Sequence, residues 1–107
     1  MGLMAQFEKV ALIDEVSSGG RKSIIVDHTP VLLLRVGDQF YAIEDVCTHD
    51  GQPLTDGPLE ENLITCPRHG AKFDVTNGKA MCMPATEAVT TYAVEMRGDE
   101  VWVGPQD

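Results

Sequence analysis

The sequence predicts an all-β protein, an antiparallel β-sandwich or small barrel, and three observations carry that expectation. Short runs of β-branched and other apolar residues recur along the chain, turn-forming residues fall between them, and no segment keeps a helical period of useful length. In chain order the runs are "FEKVALI", "KSIIVD", "VLLLRV", "QFYAIED", "NLITC", "AKFDV", "TTYAVEMR" and "EVWVG". Ser18-Gly19-Gly20, Gly37-Asp38, Thr76-Asn77-Gly78 and Arg97-Gly98-Asp99 stand where hairpins would close. Successive strands are therefore expected to be antiparallel neighbours. Residues 8–16 suit a short helix as well as a strand.

A chain of 107 residues with 43% apolar and 23% charged residues is large enough for one packed core, and is read as a single domain over 1–107. Between Asp45 and Pro84 the composition changes, with Gly51, Pro53, Gly57, Pro58, Pro67 and Gly70 crowding the loops around short strands. The expectation is a loop-rich subdomain over about 45–84. Its flanks, about 5–44 and 85–104, would pair into a base sheet or small barrel.

The net charge of -9 opposes binding to nucleic acid phosphates and favours basic protein surfaces. The N-terminal stretch has no basic region followed by an apolar run, and Gln6 leaves the myristoylation pattern after Gly2 incomplete. The longest apolar stretch, "SIIVDHTPVLLLRV", is broken by Asp27, His28, Thr29 and Pro30. A soluble, cytoplasmic protein with no membrane or nucleic acid partner is expected.

The chain has three cysteines and three histidines, and two of each lie in "CTHDGQPLTDGPLEENLITCPRHG", residues 47–70. An odd cysteine count without a signal peptide argues for metal ligation over a disulfide framework. Two Cys and two His suit tetrahedral structural zinc, but common zinc fingers pair Cys with Cys and His with His. Here Cys47 pairs with His49 and Cys66 with His69, so each loop offers one thiol and one imidazole. A [2Fe-2S] cluster with two thiolates on one iron and two imidazoles on the other needs that mixture. Gly51, Pro53, Pro67 and Gly70 would supply the tight turns and close backbone approach of loops wrapped around it.

The segments "CTHDGQPLTDG" and "CPRHGAKFDVTNGK" resemble the two ligand loops of Rieske-type ferredoxins, above all those of bacterial aromatic-ring-hydroxylating dioxygenase systems. With "MPATEAVTTYAVEMRGDEVWV" the resemblance runs from about Gly37 onward. It implies a Rieske-like fold and one Rieske [2Fe-2S] cluster, with Cys47 and Cys66 on the inner iron and His49 and His69 on the outer. It also implies a monomeric, non-catalytic electron carrier between a flavoprotein NAD(P)H-dependent ferredoxin reductase and a terminal oxygenase. A small Rieske subunit of a nitrite-reductase-like or iron-sulfur assembly system is the alternative, and a structural zinc module a more distant one. Respiratory Rieske proteins carry loop cysteines where this chain has Gln52 and Arg68, and a Ser and a Tyr where it has Ala71 and Phe73. The resemblance therefore implies no loop disulfide and a potential on the order of -150 mV, low for the class.

Other residues suit plainer roles. Cys82, in "AMCMPA", is expected to be a small buried hydrophobe. His28 reads as a surface or capping residue before Pro30. Arg68 and Lys72 either steer a partner or are simply solvated, and the acidic run Asp56 to Glu61 is either a docking patch between the ligand loops or a solvated turn. Phe40 and Trp102 are expected to pack the base sheet.

Overall fold

The structure, a computed structural model, describes residues 7–48, 51–67, 70–83 and 87–105. It is all-β, with one short 3-10 turn at Ile13–Glu15. Strands β1 (Glu8–Leu12), β2 (Arg21–Val26), β3 (Thr29–Val36), β4 (Gln39–Glu44), β9 (Thr91–Arg97) and β10 (Glu100–Pro105) form one antiparallel sheet in the order β1-β10-β9-β4-β3-β2. The intervening chain builds a second sheet from β5 (Leu59–Glu60), β6 (Leu63–Thr65), β7 (Lys72–Asp74) and β8 (Ala80–Cys82), in that order. Residues 8–16 thus resolve into a strand followed by the 3-10 turn.

Turn chemistry sets the hairpins of the larger sheet. Gly37 (φ +62°) and Gly98 (φ +64°) each open a two-residue loop, between β3 and β4 and between β9 and β10. A positive φ at the first loop position matches the right-handed twist of the flanking strands, and glycine adopts it without a Cβ clash. The β2–β3 loop does the same with Asp27 (φ +50°) and His28 (φ +68°), so His28 is a turn residue. Pro30 follows, where the absent N–H ends the β3–β4 ladder. Its carbonyl still accepts from the Asp45 amide at 3.0 Å.

The run "VLLL" is continuous because β3 is buried on both faces. Val31 and Leu33 point into the larger sheet's own interior with Val26, Phe40, Ala42, Val101 and Val103. Leu32 and Leu34 point the other way, with Ile43, onto Leu54, Ile64, Phe73 and Val75 of the smaller sheet and its loops. One strand therefore joins two cores through the two-residue alternation of its side chains.

The larger sheet curls so that its two edge strands meet. A bulge between Lys9 and Ala11 takes Val10 out of the β1–β10 ladder. The Val10 carbonyl accepts from Lys22 Nζ of β2 at 2.9 Å, and the same ammonium lies 3.1 Å from Glu15. Phe40 fills the interior with the Arg35 guanidinium over its ring, as the sequence suggested. Trp102 lies on the outer face instead, between two buried valines, with Arg97 stacked 4.2 Å from its centroid.

The chain leaves the larger sheet after β4 and returns on β9, which pairs with β4 through Ala42↔Tyr92 and Ile43↔Thr91. Exit and re-entry are thus adjacent, and 45–90 projects from one end. Arg21 Nη1 donates to the carbonyls of Thr55 (2.7 Å) and Gly57 (2.6 Å) across the junction. Gly78 (φ +80°) lets the β7–β8 turn press against the returning chain, its carbonyl accepting from the Val89 amide at 2.8 Å.

Candidate metal centre

Two loops, one after β4 and one between β6 and β7, begin in the same way. The Cys47 amide donates to the Gln52 carbonyl at 2.7 Å, and the Cys47 carbonyl accepts from the Gly51 amide at 2.7 Å. The Cys66 amide donates to the Ala71 carbonyl at 2.7 Å, and the Cys66 carbonyl accepts from the Gly70 amide at 3.1 Å. Each cysteine therefore opens a turn closed by bonds to the residues four and five positions on. The fourth residue is glycine both times, with φ +77° at Gly51 and +80° at Gly70. Among the described residues a methyl group at either position would meet nothing within 4 Å, and the positive φ itself favours glycine. A left-handed backbone costs an L-residue about 1–2 kcal/mol.

Both cysteines are buried, Cys47 at 0% and Cys66 at 1% exposure, in one apolar cluster with Leu32, Leu34, Leu54, Ile64 and Phe73. Ala71 and Phe73 beside Cys66 are also fully buried and bring no side-chain hydroxyl to it. Two thiols in matching turns and dry surroundings are what a shared soft-metal group needs on its protein side. In sequence, His49 and His69 fall between each cysteine and its glycine. They lie outside the described residues, as does Arg68. Among the described residues no three Cys, His, Asp or Glu side chains converge on one point.

Three side chains that spacing did not single out hold the first loop. Asp45 Oδ1 accepts from the Leu54 amide at 2.7 Å, and Oδ2 accepts from the Thr55 hydroxyl. Thr48 donates its hydroxyl to the Glu87 carbonyl at 2.7 Å, tying the loop to the returning chain. Arg21, on β2, holds the loop's far end through Thr55 and Gly57. Nothing in the local sequence marks them, because their partners are up to 39 residues away.

Cys82 departs from expectation: it is exposed on β8, opposite Lys72 of β7. β8 is the edge of the small sheet, and among the described residues Met81 (51%) and Met83 (75%) are exposed as well. The apolar character of "AMCM" therefore does not signal burial. In the run Asp56 to Glu61, Leu59 and Glu60 form β5, and Glu61 (φ +54°) turns the chain into β6.

The family model for the Rieske [2Fe-2S] domain matches residues 6–93. The 3-phenylpropionate/cinnamic acid dioxygenase ferredoxin subunit of Escherichia coli strain K12 is 39% identical over 84 residues, 77% of this chain and 79% of that protein. The ferredoxin of carbazole 1,9a-dioxygenase from Nocardioides aromaticivorans IC177 superposes with a TM-score of 0.90 at 32% identity, covering 95% of this chain and all of that one. A complex of reduced oxygenase and oxidised ferredoxin in carbazole 1,9a-dioxygenase contains a chain that superposes with a TM-score of 0.88 at 36% identity, covering 94% of each. With paired cysteine turns inside such a match, the chain belongs to the Rieske [2Fe-2S] domain family.

Proposed function

We propose that this chain is the electron carrier of an aromatic-ring dioxygenase system, taking single electrons from a flavoprotein NAD(P)H-dependent ferredoxin reductase and passing them to a terminal oxygenase. It is a ferredoxin and not itself an enzyme, as are its relatives among dioxygenase ferredoxin subunits. A Rieske [2Fe-2S] group, when bound, takes up and releases one electron at a time. Cys47 and Cys66 would hold its inner iron, His49 and His69 its outer iron. The observation that carries the reading is the pair of matching turns at two buried cysteines.

The chain's residues have three tasks. The two cysteines present thiolate sulfur from a dry apolar cluster, and Gly51 and Gly70 let the turns close behind them. Thr48, Asp45 and Arg21 hold the first loop against the rest of the molecule, so an electron can come and go with little movement of the ligands. No helix among the described residues is long and apolar enough to cross a membrane, which accords with a cytoplasmic carrier that meets two partners in turn. The net charge of -9 favours basic docking surfaces on both.

Mixing the purified protein with NADH and a catalytic amount of a dioxygenase reductase should bleach its visible absorbance, and adding oxidised terminal oxygenase should restore it. A chain that stays oxidised with reductase yet becomes reduced by dithionite would contradict the carrier role.

Ala71 and Phe73 also set an expectation for the potential. Each is fully buried beside the Cys66 turn, and a hydroxyl there can donate to cluster or cysteine sulfur and stabilise the electron-rich state. One such bond, at about 1 kcal/mol, corresponds to roughly 40 mV for a one-electron couple. Voltammetry should therefore find Ala71→Ser and Phe73→Tyr each shifted upward by roughly that amount.

A further inference from the structure

Loop one spans 45–57, leaving the larger sheet at the end of β4 and returning along Leu54, Thr55 and Gly57 to β5. The two carboxylate oxygens of Asp45 reach across that loop, one to the Leu54 amide at 2.7 Å and the other to the Thr55 hydroxyl. The Asp45 amide donates to the Pro30 carbonyl of β3 at 3.0 Å, so the residue is fixed to the sheet while its side chain grips the returning chain. Leu54 is itself 0% exposed in the cluster that holds both cysteines. The turn from Cys47 to Gln52 lies wholly between the two ends that Asp45 joins.

Loop two has no such device among the described residues. The residue two before Cys66 is Ile64, which is buried and apolar. That loop is closed by the pairing of β6 with β7 and by backbone bonds, including Val75 to the Asn62 carbonyl at 2.8 Å. Loop one lacks a ladder at its base and has a carboxylate in its place.

We propose that Asp45 is the positioning residue for Cys47: it closes the base of loop one as strand pairing closes loop two, and so governs how readily the bound cluster is released. The proposal rests on the Rieske reading given above. Release of a buried cluster requires the loop to open, and the open population rises when the bonds that close it are removed.

The test compares iron-loaded protein with Asp45→Ala, Asp45→Asn and Leu33→Ala variants, following the loss of visible absorbance under excess iron chelator well below each melting temperature. Leu33 lies in the interior of the larger sheet, in the core that contains neither cysteine, so Leu33→Ala reports on general destabilisation. Asp45→Ala removes two hydrogen bonds and should release the cluster roughly tenfold faster. Asp45→Asn keeps an acceptor for the Leu54 amide and can donate to a turned Thr55 hydroxyl, so it should stay within about twofold of wild type. Leu33→Ala should melt earlier but release at the wild-type rate.

Wild-type release from Asp45→Ala, or equal acceleration in Asp45→Ala and Leu33→Ala, would overturn the proposal. Should Asp45→Ala be insoluble, Thr55→Val removes one of the two bonds and should speed release about threefold, with no change counting against the proposal. Wild-type protein that binds no iron would overturn the Rieske reading, and this inference with it.

Discussion

Replacing either Cys47 or Cys66 by Ala is expected to yield a protein with no visible absorbance and no bound iron. One missing thiolate leaves an iron short of a ligand at a position almost completely shielded from solvent. The effect on folding should also be large. Ligand binding to the folded state adds its free energy to stability, so the variant loses the cluster's contribution as well as some packing in the cluster around Leu54 and Phe73. Cys82→Ala is the internal control. That thiol is exposed on an edge strand, and its removal should leave iron content, absorbance and melting temperature unchanged. The measurement is iron per chain with a visible spectrum and a thermal melt for all three variants.

Gly57→Ala is expected to have the second largest effect, for a steric reason. A methyl group at this position would fall on the backbone carbonyl oxygen of Thr65, which belongs to β6 and cannot swing aside as a side chain can. The neighbouring bonds would also be pushed apart: Arg21 to the Gly57 carbonyl at 2.6 Å, the Gly57 amide to Leu54 at 2.9 Å and the Thr65 amide to Pro58 at 3.0 Å. Overpacking of a well-packed site costs typically 1–3 kcal/mol, and lost hydrogen bonds add about 1 kcal/mol each. Denaturant unfolding should therefore show a loss of at least about 2 kcal/mol. Gly19→Ala is a useful contrast: its Cβ meets nothing within 4 Å, so only the strain of φ +81° remains.

How far the sequence foretold this molecule differs between the fold and the site. β3, β4, β9 and β10 were legible because they are long and joined in pairs by two-residue turns that need a positive φ, at Gly37 and Gly98. The Asp27-His28 turn was less so, because neither residue is glycine and the positive φ is imposed by the pairing of Val26 with Thr29. β5 and β8 left no run to read, because "LE" and "AMC" hold no β-branched or aromatic residue and the strands are held by their neighbours in the small sheet.

At the site, the spacing of Cys47, His49, Cys66 and His69 pointed to a shared metal group because ligand types are local facts. The glycines four residues after each cysteine were also visible, though the identity of the two turns emerges only from their hydrogen bonds. Asp45, Arg21 and Thr48 were hidden for the opposite reason. In "IEDVCTH" an Asp at a strand end is unremarkable until Leu54 and Thr55 are brought against it. The exposure of Cys82 was hidden likewise, since apolar neighbours suggest burial but only topology shows that β8 is an edge.

The central claim is that two thiolates and two imidazoles of this chain hold one [2Fe-2S] cluster. Electron paramagnetic resonance of the dithionite-reduced protein, with iron and acid-labile sulfide measured on the same sample, tests it most directly. The account predicts a rhombic signal with a low average g value and two irons and two sulfides per chain. A silent sample with a single tightly bound zinc would contradict it.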